Sequence, residues 1–270
     1  MPSIKMKPIE NNVNPIEQLI QSNPTVPTEN YWVIDNLPSK CLFYEPGTQI
    51  VGRALKTLEV KQLTTIDESN ADYIINSIID KAVKGIKVDD LLVADKLYIL
   101  FWLRANTYRE SGLSVSFNCP SCRAISTYDF TLDCLDIKSC EDDIDYDSEL
   151  ILPASQQTVK FRFKRIKDEN KIASFLAKNK NLHTKYDLDI LNIAGVISHI
   201  NGEESNSLFN NYEFLVNLEP VDYAYILSGL EYIDIGVSDR LSVVCNKCGG
   251  HTHTGVSFRP DFFIPTYQFK

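Results

Sequence analysis

Four of the seven cysteines stand in two Cys-x-x-Cys pairs, Cys119 with Cys122 and Cys245 with Cys248. Thiolates are soft ligands, and four of them complete the tetrahedral shell of a closed structural metal site. Each pair lies between short alternating runs. Val115-Ser116-Phe117-Asn118 leads into the first and Arg123-Ala124-Ile125 leaves it; Leu241-Ser242-Val243-Val244 leads into the second and Gly249-Gly250-His251 leaves it. Strand, turn and strand around such a pair is the sequence form of a metal knuckle at a hairpin tip. One Cys-x-x-Cys also fits a redox motif or chance, whereas two with matching flanks point to one shared metal. Two unrelated pairs are the plainer alternative. Structural Zn2+ is the expected ion, and iron could take the same ligands. His251 and His253 follow closely and could replace a cysteine, but at alternate strand positions they more simply share a face.

Other chemistries leave no trace in the spacing. The sequence holds no His-Glu-x-x-His, no Gly-x-Ser-x-Gly, no phosphate-cradling glycine loop and no dinucleotide fingerprint. His183 and His199 complete the four histidines, and no pattern pairs any of them with a nucleophile. A closed four-cysteine site leaves no position for substrate, and a redox pair needs a helix N-terminus rather than a hairpin turn. The expectation is a protein without catalytic residues. Asp143, Asp145 and Asp147 suggest a calcium loop, but Ser148 stands at its glycine position and Ala154 at its bidentate glutamate position, so that reading fails.

The elements that must hold two remote knuckles together come next. The chain has 270 residues, 44% hydrophobic and 23% charged, enough for one large or two small cores. Its net charge of −9 argues against a general nucleic-acid binder. Cys41, Cys134 and Cys140 read as free thiols of a reducing compartment. No secretory leader pattern and no run of 18 apolar residues is present, so neither secretion by a signal peptide nor a membrane span is expected.

Residues 1–30 carry five prolines among many Asn and Gln and are too poor in apolar residues to fold alone. They are expected to be an extended arm that orders on a partner. Tyr31 to Val51 reads as an irregular lead-in with a short hairpin. Three helices follow: one near Val60 and Leu63 capped by Thr57, one capped by Ser69 or Asn70 and stopped at Gly85, and one from about Leu91 to Tyr108 whose apolar centre should be buried. After the first knuckle, the acidic run Glu141–Glu149 reads as a solvated linker. Val159–Lys164 alternates as a strand, and Lys160 to Lys185 holds nine Lys or Arg against Asp168 and Glu169. Helices are expected from about Leu188, continuing through Val196 and Ile197, and from Pro220 to Tyr232. Beyond the second knuckle, Val256 to Phe269 combines five aromatics with two prolines. It must be covered, by this chain's own core (the safer reading for Phe258 to Ile264) or by a neighbour.

Several of these runs resemble a known family. Leu37-Pro38-Ser39-Lys40-Cys41-Leu42-Phe43-Tyr44, Gly47-Thr48-Gln49-Ile50, Asn70-Ala71-Asp72-Tyr73-Ile74-Ile75-Asn76, Leu91-Leu92-Val93-Ala94-Asp95-Lys96 and Phe101-Trp102-Leu103-Arg104-Ala105-Asn106-Thr107-Tyr108 are similar to the baseplate hub and hub-assembly proteins of T-even-type contractile-tail bacteriophages. Phe117-Asn118-Cys119-Pro120-Ser121-Cys122 with Tyr128-Asp129-Phe130 continues the likeness. It is closest over about 36–135 and looser over 150–260. It implies a non-enzymatic part in building a tail baseplate, with other phage subunits as partners, located in the host cytoplasm during assembly and at the virion tail baseplate; a member that stays in the virion and one that acts only in assembly both fit the resemblance. The alternative is a zinc-ribbon nucleic-acid binder using Lys160, Arg162, Lys164, Arg165 and Lys167.

The expected fold is α+β. It has an arm (1–30), a helical domain or bundle (31–110), a zinc ribbon split between 111–137 and 238–260, a mainly helical insertion with one strand (138–237) and a tail (261–270). One metal would then close a loop of 122 intervening residues, 123 to 244.

Overall fold

The computed structural model describes residues 30–67, 69–109, 112–179, 186–238, 240–256 and 260–264. Along it run β1 (Trp32–Val33), β2 (Val51–Gly52), α1 (Thr57–Leu63), α2 (Ala71–Ala82), β3 (Val83–Lys84), α3 (Val93–Thr107), β4 (Leu113–Asn118) and β5 (Ile125–Phe130). Next come β6 (Ile137–Lys138), β7 (Leu150–Ile151), β8 (Thr158–Phe161), α4 (Ile166–Lys178), α5 (Leu188–Ala194), β9 (Ile197–Ile200), β10 (Glu203–Glu204), α6 (Leu208–Val216) and α7 (Pro220–Tyr232). The last are β11 (Gly236–Val237), β12 (Arg240–Val244), β13 (His251–Gly255) and the short α8 (Pro260–Phe263). Helices and small antiparallel sheets make the chain α+β.

The apolar centre of α3 does what such a helix must: Ile99, Phe101 and Leu103 are fully buried, and α1, α2 and both cysteine hairpins pack around them in one core. The helix starts two residues later and stops one earlier than the pattern indicates. Thr57 opens α1 rather than capping it; Glu59 instead reaches back to accept the Lys56 N–H at 2.8 Å. Neither Ser69 nor Asn70 caps α2 through its side chain; Asp67 fixes the turn before it by accepting both their N–H groups. The stretch expected to hold a short hairpin is closed by the antiparallel pair β1–β2, and nothing in the sequence marks β3, which completes the sheet β1-β2-β3. Strands of two residues carry no period to read. Gly85, expected as the stop after α2, follows β3 instead, at φ +97°, and a Cβ there would lie 2.0 Å from the Gln49 carbonyl oxygen.

A second core gathers Leu152, Val159, Phe161, Ile172, Leu191, Leu215 and Ile226 from the sheet β10-β9-β8-β7 and from α4 to α7. This segment is richer in strand than expected. The helix beginning at Leu188 ends at Ala194, and Ile197 leaves it to pair with Phe161 in β9. Helix α7 has the bounds that Pro220 and the apolar run indicate, with proline at its first position, where no N–H is needed.

The two cores meet along a short antiparallel contact. Val93 N–H donates to the Lys164 carbonyl at 2.9 Å, and Ile166 N–H donates to Leu91 at 3.0 Å. The Arg165 guanidinium donates to the Asp90 and Phe43 carbonyls at 2.6 and 2.7 Å. The Phe43 ring meets those of Phe163 and Tyr146 at centroid distances of 4.4 and 5.6 Å. Tyr146 therefore pins the acidic run, which is not the purely solvated linker its charge suggests.

At the far end, Phe262 and Phe263 are buried in the first core, and Arg104 Nε–H donates to the Phe262 carbonyl at 2.6 Å. Here the chain covers Phe262 and Phe263 itself, so this part of the aromatic segment is no partner-binding arm. Residues 1–29, 257–259 and 265–270, the rest of the expected arms, lie outside the described residues.

Candidate metal centre

Both Cys-x-x-Cys pairs sit at hairpin turns, the first between β4 and β5 and the second between β12 and β13. The two turns repeat one another. Cys119 N–H donates to the Ala124 carbonyl (2.9 Å) and Arg123 N–H to Cys119 (2.8 Å); Cys245 N–H donates to Gly250 (2.9 Å) and Gly249 N–H to Cys245 (2.9 Å). The residue four after the leading cysteine is left-handed in each, Arg123 at φ 59° and Gly249 at φ 68°. Glycine accepts this conformation freely and arginine does not. Arg123→Gly is therefore expected to stabilise the protein by about 0.5–1 kcal/mol, the relieved strain exceeding the added unfolded-state entropy. Denaturant unfolding of the metal-loaded chain measures this; a destabilisation would show that the Arg123 side chain holds the hairpin in another way.

The hairpins bring all four sulfurs within 4.8 Å of one another. Cys119 Sγ lies 3.6 Å from Cys248 Sγ, and Cys122 Sγ lies 3.7 Å from Cys245 Sγ. Each close pair joins one hairpin to the other, as a shared site requires. A tetrahedron with zinc–sulfur bonds of about 2.3 Å has sulfur–sulfur edges of about 3.8 Å, whereas a disulfide needs about 2.05 Å. The donor set therefore fits a four-thiolate metal. Cys119 and Cys245 are buried in the first core, while Cys122 and Cys248 face out.

Local donors favour thiolates at the inner positions. The Ser126 hydroxyl, 3.2 Å away, and the N–H groups of Cys248 and Lys247 draw the Cys245 thiol down to about 6. The Cys122 and Ser121 N–H groups lower Cys119. At Cys248 the Gly250 N–H works in the same direction, but the crowd of neighbouring sulfurs outweighs it and pushes the thiol up to about 12. Four thiolates so close repel, and a dication is what makes their joint ionisation favourable.

Sequence spacing identified the four cysteines but not their supports. Ser126 is buried beside Cys245; Asn246 ties the hairpins by donating to the Thr127 carbonyl at 3.0 Å. A Cβ on Gly250 would come within 3.2 Å of Ser121 Oγ. No periodic signal marks these residues, because their partners lie on the other hairpin. His251 and His253 share the exposed face of β13, opposite Val244 and Ser242, and stand apart from the sulfur cluster.

The basic residues of 160–167 are engaged within the chain. Lys160 pairs with Asp147 (2.8 Å), Arg162 with Asp168 (2.6 and 2.8 Å) and Lys167 with Asp90 (2.8 Å). Lys164 donates to Asn192 at 3.0 Å, and Arg165 bonds the two carbonyls of the inter-core contact. No helix among the described residues is long and apolar enough to cross a membrane.

An α+β chain with two cores, the first of which closes over a four-cysteine cluster, is the class that the fold and the site define. A search against protein-family models makes this specific: the model for T4 bacteriophage base plate protein matches residues 33–264. The chain belongs to that family, as a baseplate component of T4-like phages. Neither curated proteins nor solved structures gave a match.

Proposed function

We propose that this chain is a structural or assembly component of the hub region of a contractile-tail baseplate, held together by one structural Zn2+ on Cys119, Cys122, Cys245 and Cys248, and that it has no enzymatic activity. The family match over residues 33–264 carries the baseplate part, and four sulfurs at tetrahedral spacing carry the metal part. The two hairpins then act as the halves of a zinc ribbon. Four protein ligands close the coordination shell, so the ion fixes shape and offers no position to a substrate. Other baseplate and tail subunits are the partners, met in the host cytoplasm and retained in the particle.

A nucleic-acid role would need free cations, and Lys160, Arg162, Lys164, Arg165 and Lys167 are all engaged within the chain. A cryo-EM map of the purified particle tests the assignment. Density for this chain on the tail axis at the baseplate is the expected result. Finding it only at the baseplate rim would overturn the hub reading, and finding it on packaged DNA would favour the alternative.

A further inference from the structure

From Tyr186 to Ser238 the sequence has nine carboxylates and no lysine or arginine, while the whole chain nets only −9. The segment of α5, α6, α7 and the loops between them is therefore uniformly acidic, as is the shorter run Glu141–Glu149. Helix α7 buries one face in the second core through Asp222 and Ile226. A second face, about a third of a turn round the helix from the buried one, is exposed and largely apolar. Val221, Tyr225, Ser228 and Tyr232 recur at i, i+4, i+7 and i+11, with Val221 52%, Tyr225 46% and Tyr232 66% exposed. A helix with one side in its own core normally turns charge outward. This one presents an apolar stripe at the spacing by which helices pack on each other.

We propose that this outer face of α7 is a docking surface for an amphipathic helix of a partner protein whose apolar stripe is flanked by lysine or arginine. The charge at its borders selects that occupant. Glu219 precedes the stripe, Glu231 adjoins it and Asp234 follows it; all three are exposed, and none forms an ion pair among the described residues. Lys138 reaches this end of the helix but donates to the Glu231 carbonyl at 2.9 Å, not to a carboxylate. A second copy laid on the same face would set like charges against each other, which disfavours a symmetric dimer. Nucleic acid and anionic lipid are repelled for the same reason. In the complex the tyrosines supply the buried anchors, while the carboxylates set orientation and encounter rate. The proposal goes beyond the baseplate assignment, which names no face, and it is independent of the metal.

The test uses the full metal-loaded chain and a fluorescent model peptide, a helix with leucine along one stripe and lysine on both flanks. A second peptide carries glutamate for every lysine. The lysine peptide is expected to bind and to weaken as salt rises from about 0.05 to 0.2 M, while the glutamate peptide does not bind. The double variant Tyr225→Ser, Tyr232→Ser keeps the charge, and its affinity should fall by about thirtyfold or more. Tyr73→Ser, at an exposed tyrosine on α2, should change nothing. Equal binding of both peptides, unchanged binding in the double variant or no binding of the lysine peptide would overturn the proposal. So would a concentration-dependent homodimer that the double variant abolishes, since the occupant would then be a second copy.

Discussion

Cys119→Ser and Cys245→Ser should each abolish stoichiometric metal and soluble, folded protein, and to the same extent. The two residues are 126 positions apart in the sequence, yet both line one sulfur cluster and both are buried in the core around α3. Removing one ligand leaves three thiols packed without a cation, and a structural metal on four thiolates is worth on the order of 10 kcal/mol of folding free energy. That is comparable to the whole stability of an ordinary domain, about 5–15 kcal/mol. Cys134→Ser is the control, because Cys134 is exposed and outside the cluster. Metal content by mass spectrometry and yield of monodisperse protein are the measurements. Full metal occupancy in either variant would show that the pairs do not share an ion.

Asp95→Ala should be the most damaging substitution away from the cysteines. Asp95 lies in the first turn of α3 and is fully buried. Its carboxylate accepts the Ser39 N–H (2.9 Å), the Ser39 hydroxyl (2.6 Å) and the Tyr44 hydroxyl (2.5 Å). Tyr44 in turn accepts the Leu92 N–H at 3.1 Å, so one side chain fastens the irregular segment 37–44 to the start of the buried helix. Alanine leaves three donors without an acceptor, at a cost on the order of 3 kcal/mol or more. Burial also raises the Asp95 carboxyl above its ordinary value, outweighing the hydrogen bonds that oppose the shift. The folded state therefore holds this proton more tightly than the unfolded chain. The stabilisation is full below about pH 3.9, the unfolded value, and is lost as pH rises through the folded value. Asp95→Asn should remove that pH dependence while keeping part of the network. Urea unfolding of the three proteins across this range decides it; a loss below about 1 kcal/mol in the alanine variant would refute the network.

Legibility in the sequence followed the range of the signal. The cysteine pairs and α7 were readable because each is marked within a few residues, by spacing in one case and by Pro220 and an apolar run in the other. The Ser39–Tyr44–Asp95 network was not, since its members are 56 and 51 positions apart and none belongs to a repeating pattern. Its one visible trace is an aspartate in the first turn of a helix whose centre is apolar. Strand β9 was mistaken for helix because Leu191, Ala194 and Ile197 satisfy a helical period. What ends the period is tertiary: Arg162 N–H takes the Val196 carbonyl and Ile197 pairs with Phe161. The covering of Phe262 and Phe263 by the first core likewise depends on α3, more than 150 residues upstream.

The placing of the second core inside the loop between the two hairpins has a consequence during synthesis. At about 5–20 residues per second, the ribosome needs roughly 6–25 s to go from Cys122 to Cys248. For that interval the first pair has half a coordination shell, open to oxidation or to a wrong partner. Meanwhile the segment from Leu150 to Leu230, which holds every member of the second core, leaves the ribosome as a unit. If it condenses first, it turns a long flexible tether into a short one and raises the local concentration of one hairpin at the other. The proposed metal would then be a clasp that closes last. A chain released before Cys245 lacks half of the cluster, so chelator-sensitive closure would report that synthesis has passed the second hairpin.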